Sequence, residues 1–334
     1  MIGVANGHPV SITGLGCEVP GRVVTNEELS KLVDTTDEWI VTRTGIRERR
    51  FAEKDEALSD IALPACRRAL EQAGVAPGDV DLVLVATVTP DMAFPATAAI
   101  LADELGMPDA AAYDLSAGCT GFMYAIAQAY GMIAAGLVEK ALVVGGDLLS
   151  KILDWSDRST LVLFGDGAGA VVLERVESGG FLGFELGADG GGGEHLWLPG
   201  SGSRHFDEPD KFVKMNGREV FKFATRVMVT SAEAILEACG RSVDEIDLYV
   251  PHQANVRIID HATRKLGIPD EKVVIDVDRY GNTSSGSIPL ALADAAADGR
   301  LRPGALVLMT GMGAGLTWGS ALIEWTHETN GAAR

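Results

Sequence analysis

Three residues pair a reactive side chain with an informative position: Cys119, His252 and Asn282. Cys119 stands in Ser116-Ala-Gly-Cys-Thr-Gly121, after an apolar run that opens at Ala111. Phe122, Ile126, Ala129, Ile133 and Leu137 then recur at threes and fours, the spacing of one buried helix face. The thiol is therefore expected at or near a helix N-terminus, where unpaired N–H groups and the dipole favour an anion. A thiolate is the reactive form of cysteine, and this position is expected to lower its pKa. Ala117, Gly118 and Gly121 leave room for a substrate to approach. A cysteine without such a context reads as a small buried hydrophobe. His252 and Asn282 stand in Pro251-His-Gln-Ala-Asn255 and Arg279-Tyr-Gly-Asn-Thr-Ser-Ser-Gly286, segments that crowd polar groups beside apolar runs.

The elements that must hold these residues repeat along the chain. Asp247-Leu-Tyr-Val-Pro-His matches Asp81-Leu-Val-Leu-Val, Val273-Val-Ile-Asp276 matches Ala111-Ala-Tyr-Asp114, and Ala305-Leu-Val-Leu-Met matches Ala141-Leu-Val-Val-Gly. The helices between them both close on glycine, Gly136 and Gly299. All four pairs run in the same order at a spacing of 162 to 166 residues. This predicts an internal duplication of a strand–helix unit, two similar α/β halves over 1–178 and 179–334; the period is too long for a solenoid. In such a sheet the loops at the carboxyl ends of strands line the ligand crevice. Cys119, His252 and Asn282 all fall at such ends. Gly165-Asp-Gly-Ala-Gly169 imitates a phosphate loop, but a strand follows it rather than a helix, so a close backbone crossing is expected there.

Composition sets outer limits. A chain of 334 residues, 47% of them hydrophobic, can bury a large core. No run is long and apolar enough to predict a membrane span, and Met1-Ile-Gly-Val-Ala-Asn-Gly-His lacks the pattern of a signal peptide. Cys17, Cys66, Cys119 and Cys239 are scattered without a C-x-x-C pair, which predicts a reducing cytoplasm and no structural metal. A formal charge of −19 argues against nucleic acid as a partner and requires any acidic partner to dock on a local basic patch. Arg218, Lys222 and Arg226 supply one such stripe, four residues apart on a helical pattern, and Arg257, Arg264 and Lys265 extend it. Residues 34–50 set Trp39 among Arg43, Arg47, Arg49 and Arg50, the make-up of a surface for a planar anion.

These segments together resemble one family. DEWIVTRTGIRERR (37–50), AGCTGF (117–122), DRSTLVLFGDGAGAVVLE (157–174), VPHQANVRII (250–259), YGNTSSGSIPLAL (280–292) and GMGAGLTWGSALIEW (311–325) are similar to the marks of the 3-oxoacyl-(acyl-carrier-protein) synthase III enzymes, thiolase-like condensing enzymes. The resemblance spans nearly the whole chain. It implies a thiolase-like α/β fold with the two halves packed as five layers, α-β-α-β-α, and a cytoplasmic homodimer without a cofactor. Acyl-CoA and malonyl-acyl carrier protein would be the substrates of an enzyme that initiates type II fatty acid synthesis.

The resemblance further implies a Cys119–His252–Asn282 triad, with Trp39 and Arg158 flanking the coenzyme A adenine. Thr35, Arg43 and Asn255 would line the pantetheine and phosphate route, Phe94 and Met312 the acyl pocket, and Lys222, Arg257, Arg264 and Lys265 the carrier-protein contact. The chemistry agrees with such roles: cysteine attacks a thioester, and two neutral N–H donors suit the enolate formed by malonyl decarboxylation. N–H groups at Cys119 and in Gly313-Ala314-Gly315 suit an oxyanion hole. Met312 stands where phenylalanine is frequent in the family and Ala314 where glycine is frequent. A cysteine hydrolase would order its triad nucleophile, acid, histidine, whereas here Asn follows His. A biosynthetic thiolase needs a second thiol beyond Cys239, and a plant-type polyketide synthase a proline in the Gly311–Gly315 loop; neither is present. A condensing enzyme of specialised metabolism on the same scaffold is the alternative, and a catalytically silent scaffold the non-enzyme reading.

Overall fold

The computed structural model describes residues 1–5, 7–205, 207 and 209–328. Ten strands build its two main sheets: β1 (Ile2–Val4), β2 (Val10–Glu18), β3 (Leu82–Ala86), β4 (Ala111–Leu115), β5 (Lys140–Leu148), β6 (Asp166–Arg175), β7 (Gly180–Ala188), β8 (Leu248–Pro251), β9 (Leu306–Gly313) and β10 (Thr317–Glu324). The first sheet runs β2-β6-β5-β3-β4 and the second β1-β7-β10-β9-β8. Parallel pairing joins β3 to β4 and β5, and β8 to β9; β2, β6, β7 and β10 pair antiparallel. Apart from β1, the second sheet repeats the order of the first.

The repeat is incomplete at its last member. Val273 to Asp276, expected as a strand, makes only one isolated bridge, Tyr249 with Val273. The chain leaves the sheet because Gln253 Oε1 accepts the N–H groups of Asp276 and Val277, turning it towards the site. The 178/179 division lies between β6 and β7, while β1, from the start of the chain, pairs with β7 in the second sheet.

Seven helices complete the frame: α1 (Asp37–Thr44), α2 (Leu58–Ala73), α3 (Thr97–Leu105), α4 (Gly121–Ala134), α5 (Gly217–Ala238), α6 (Val256–Leu266) and α7 (Ser287–Ala297). Hydrophobic packing sorts most of them into layers. Phe122 and Ile126 of α4 and Ile288 and Leu292 of α7 share one core with Leu84 and Val143 of the first sheet and Val250 and Met309 of the second. Outside the first sheet lie α2 and α3, through Ala65, Ala69 and Leu101 against Val83 and Val144. Outside the second lie α5 and α6, through Ile235 and Ile259 against Tyr249 and Leu308. The body is thus the five-layered α-β-α-β-α sandwich. The central α7 is buried all round except at Ala297, as a mid-layer helix must be. In α4 the expected inward face is correct through Ile133, but Leu137 is 73% exposed, because the helix ends at Ala134 and Gly136 turns left-handed. Among the described residues no helix is long and apolar enough to cross a membrane.

The halves approach through glycine. A Cβ on Gly165 would lie 2.1 Å from the Tyr280 carbonyl oxygen, which is the close crossing expected of that loop. A Cβ on Gly145, in β5, would lie 2.4 Å from the Ser285 carbonyl oxygen and 3.0 Å from Phe122 Cβ. Backbone is in the way on one side and a core aromatic on the other, so neither yields cheaply. Gly145→Ala should therefore lower unfolding free energy by about 1 to 3 kcal/mol, the usual toll of overpacking. Denaturant unfolding at unchanged midpoint would contradict this packing.

Candidate active site

Cys119 occupies a 3-10 turn, Gly118–Thr120, directly before α4. Gly118 is left-handed (φ 57°), and a Cβ there would stand 2.8 Å from the Ala314 nitrogen, so the second half's turn touches the nucleophile's own backbone. Thr120 Oγ1 donates to the Ala117 carbonyl (2.7 Å) and fixes the turn. The cysteine is only 8% exposed. The expected lowering of its pKa is overturned: burial pushes the thiol up to about 11. A hydrogen bond from the Ser284 hydroxyl pulls the other way, Asp147 adds to the rise, and the N–H groups of Cys119 and Ala314 favour the anion. A helix dipole offsets only part of what removal from water costs.

His252 follows β8, its N–H held by the Thr310 carbonyl at 2.8 Å. Its Nδ1 pairs with Ser287 Oγ, and its Nε2 is buried without a partner. Ser287 Oγ also accepts the Gln253 N–H at 3.4 Å; in the tautomer in which Nδ1 accepts the serine proton, Nε2 carries the ring proton. Burial drives the imidazole down to about 3. At neutral pH it is an uncharged donor. Asn282 is held by backbone bonds to the first half, its N–H to Leu163 O and its carbonyl from Gly165 N–H, both 2.9 Å. Its Oδ1 accepts the Ser284 N–H at 2.9 Å, which leaves the amide N–H groups for the cavity. Ser284 achieves this from a left-handed backbone (φ 53°), uncommon for a residue with a Cβ.

Two cavities meet at Cys119. The larger, with about 280 Å³ of open space, is lined by Cys119, His252 and Asn282 at its floor and by Trp39, Arg43 and Asn255 higher up. The smaller, about 120 Å³, is almost wholly apolar and is lined by Val88, Leu149, Ile152, Phe164, Leu198 and Val213. A thiol at the junction of a wider tunnel, which mixes polar groups with apolar walls, and a greasy pocket is placed to take a group from one and lodge it in the other.

The remaining candidates fall as follows. Gly313 packs on the Cys119 backbone, a Cβ there reaching 2.5 Å from its nitrogen. The left-handed positions of the next turn are Gly315 (φ 74°) and Leu316 (φ 46°), so Ala314 needs no glycine and still presents its N–H. Trp39, on α1, is half-buried rather than exposed, with the Arg43 and Arg158 guanidinium groups each 4.8 Å from its ring centroid. Arg158 also donates to the Asp34 carbonyl at 2.6 Å, and Thr35 Oγ1 is buried without a partner. Asn255 caps α6 through the Arg257 N–H (2.9 Å) and ties it to α1 through the Arg43 carbonyl (3.1 Å). Met312 lines the tunnel, not the apolar pocket. Phe94 is 85% exposed and lines neither cavity.

Lys222, Arg257, Arg264 and Lys265 are all exposed on the packed pair α5 and α6, with Arg257 at the tunnel and stacked 5.4 Å from Phe221. Sequence reasoning passed over Ser284, Ser287 and the apolar strip at Leu196 and Leu198. The serine density of Asn282-Thr-Ser-Ser-Gly-Ser287 was the available signal. Among the described residues no His, Cys, Asp and Glu cluster is placed to hold a metal.

Known proteins match nearly the whole chain. Residues 113–190 match the model of 3-oxoacyl-[acyl-carrier-protein] synthase III, and 236–325 that of its C-terminal part. The chain is 55% identical to beta-ketoacyl-[acyl-carrier-protein] synthase III of Symbiobacterium thermophilum over 325 residues, 95% of this chain and 98% of that one. It is 52% identical to the crystal structure of the same-named enzyme from Thermus thermophilus, with a TM-score of 0.90, covering 94% and 99% of the two chains. The priming beta-ketosynthase of the R1128 polyketide pathway superposes with a TM-score of 0.91 at 38% identity, covering 97% and 99%.

The buried thiol generates a direct expectation. Alkylation of Cys119 by iodoacetamide, followed by intact mass, should keep accelerating between pH 8 and 10, because the thiolate is a minor species below about 11. A rate that levels off below pH 7.5 would show the helix and hydrogen bonds outweighing burial.

Proposed function

The chain belongs to the 3-oxoacyl-[acyl-carrier-protein] synthase III family, a family of condensing acyltransferases, and we propose that it opens type II fatty acid synthesis with the chemistry its site supports. In the first half-reaction Cys119 Sγ attacks the thioester carbon of acyl-CoA. The bond to the coenzyme A sulfur breaks, the thiol proton passes to the departing thiolate, and the acyl group lodges in the apolar pocket. N–H groups of Cys119 and Ala314 hold the oxyanion formed on the way. In the second, malonyl-acyl carrier protein loses CO2. The electron pair of that C–C bond moves into the thioester, whose oxygen becomes the enolate. The enolate carbon attacks the acyl carbonyl, the Cys119 sulfur leaves as a thiolate that takes a proton from water, and 3-oxoacyl-acyl carrier protein results.

The observation that carries this reading is the buried, uncharged His252 with an unpartnered Nε2, in the same cavity as Asn282 and Cys119. A hydrolase needs an imidazole basic enough to take a proton, which one held down to about 3 is not; two neutral donors serve an enolate. No step calls on a cofactor, because the decarboxylation supplies the carbon nucleophile. Priming of a polyketide chain is the second reading; relatives named beta-ketoacyl-[acyl-carrier-protein] synthase III, 55% and 51% identical, support the first, against 38% for the polyketide-priming enzyme.

Substrate and partner contacts follow as proposals. The adenine of coenzyme A displaces one of the two guanidinium groups now against Trp39, leaving Trp39 and Arg158 on either side. Thr35, Arg43 and Asn255 guide the phosphates and pantetheine. The acidic carrier protein docks on Lys222, Arg257, Arg264 and Lys265, exposed cations on a chain of net charge −19. The partly exposed edge strand β4 and the exposed Phe94 and Met92 support a homodimer in which Phe94 closes the partner's acyl pocket. The four free cysteines fit a reducing cytoplasm.

His252→Ala and Asn282→Ala should each slow malonyl-thioester decarboxylation by about 100- to 1,000-fold, the usual effect of losing one such donor. Acylation of Cys119 from acyl-CoA, followed by intact mass, should suffer far less, while Cys119→Ser forms no acyl-enzyme. Near wild-type decarboxylation in both donor variants would remove them from the enolate's stabilisation.

A further inference from the structure

Resting on the reading above, we infer that Asp147 is a positioning residue for the condensation step, a carboxylate of the first half that clamps the turn carrying the second half's donors. Asp147 lies in β5, is completely buried, and none of its hydrogen-bond partners is a cation. Its Oδ1 accepts from Thr87 Oγ1 (2.9 Å), Val88 N–H (2.7 Å), Thr89 N–H (3.2 Å) and Thr89 Oγ1 (3.0 Å). Its Oδ2 accepts from Ser285 Oγ (2.8 Å) and Ser285 N–H (3.3 Å). A buried carboxylate is costly unless donors surround it, and breaking such a network leaves charge without compensation.

The place where Oδ2 grips gives the network its meaning. Ser285 is the centre of the 3-10 turn Ser284–Gly286. One residue earlier, Ser284 gives its N–H to Asn282 Oδ1, and its side chain favours the Cys119 thiolate. Two residues later, Ser287 Oγ holds His252 Nδ1. One turn therefore orients both donors and touches the nucleophile, and Asp147 reaches it from 138 residues away. The clamp is set against the first sheet, with Ser285 Oγ also 2.8 Å from the Ala86 carbonyl and the Ser285 carbonyl lying over Gly145. Nothing in the chemistry of acylation needs this turn as much as the enolate does, because the acyl oxyanion is served by the N–H groups of Cys119 and Ala314.

Asp147→Asn keeps the shape and replaces one acceptor with a donor. The amide nitrogen faces the Ser285 N–H, while four donors hold Oδ1; the Ser285 hydroxyl can turn its single proton to the Ala86 carbonyl, so the Ser285 backbone contact is the one surrendered. Misplacement on this scale typically lowers a step by on the order of 10- to 100-fold. The test measures, in the full-length enzyme, Cys119 acylation by acyl-CoA, malonyl-CoA decarboxylation, and the pH profile of Cys119 alkylation. The expected result for Asp147→Asn is a decarboxylation loss of that order with acylation within about threefold of wild type. Alkylation should shift to lower pH, since a negative charge that disfavours the thiolate is gone. General loosening of the fold would admit water to Cys119 and lower its titration too, so the readout that separates positioning from mere structure is the split between the half-reactions, decarboxylation falling while acylation holds. Ser285→Ala keeps the backbone bond and loses only the hydroxyl; it should show the same split more weakly, and decides the matter if Asp147→Asn fails to fold. Equal loss of both half-reactions in the variants, or loss of neither, overturns the assignment. A wild-type enzyme unable to decarboxylate malonyl-CoA would instead overturn the functional reading itself.

Discussion

Burial of polar chemistry between two packed sheets governs this molecule. The thiol, the imidazole and the amide lie where strands of the two halves end, almost out of reach of water. The same removal from water pushes the Cys119 thiol up to about 11 and the His252 imidazole down to about 3. Both groups are thereby held uncharged at rest. That is awkward for a nucleophile and well suited to an enolate, which meets two neutral donors in a low-dielectric place where each hydrogen bond is worth more. On the proposed reading, the site is shaped for the charge that develops in condensation rather than for a resting thiolate.

Such a site requires close backbone contact between halves, and the sequence supplies it with glycine. Gly118 and Gly313 bring the nucleophile's turn against the Gly313–Leu316 segment, and Gly145 lets the Ser285 turn rest on β5. With no Cβ between them, N–H groups from both halves reach one sulfur atom. Hydrogen bonds then do the aligning: Leu163 and Gly165 of the first half hold the backbone of Asn282, and Gln253 gathers the N–H groups of Asp276 and Val277 beside His252. The duplication supplies two similar sheets, and these crossings make one site of them.

Much of this was legible in the sequence. Periodicity at Phe122, Ile126, Ala129 and Ile133 marked a buried helix face, and the repeated Asp-Leu runs marked corresponding strands. Cys119, His252 and Asn282 followed because strand ends are where a doubled α/β body places its ligands. What escaped depends on contacts that sequence does not display. The direction of the Cys119 shift was misread because a helix start is visible in a local window and burial is not. Ser284's left-handed backbone and the bond from Ser285 to Asp147 join residues that no local pattern connects. Val273 reads as a strand, yet Gln253 draws the following chain away to serve the site. Leu137 keeps the helical spacing, but the helix has already ended.

The central claim is that an uncharged imidazole stabilises the enolate. The measurement that tests it most directly is the pH dependence of malonyl-CoA decarboxylation by the Cys119→Ala enzyme, whose site holds no thiol to titrate. With His252 held down to about 3, the rate should be flat from pH 5.5 to 8. An imidazole with the ordinary value near 6.5 would be about 90% protonated at pH 5.5. A titration step near pH 6.5, changing the rate severalfold in either direction between pH 8 and 5.5, would therefore contradict the account.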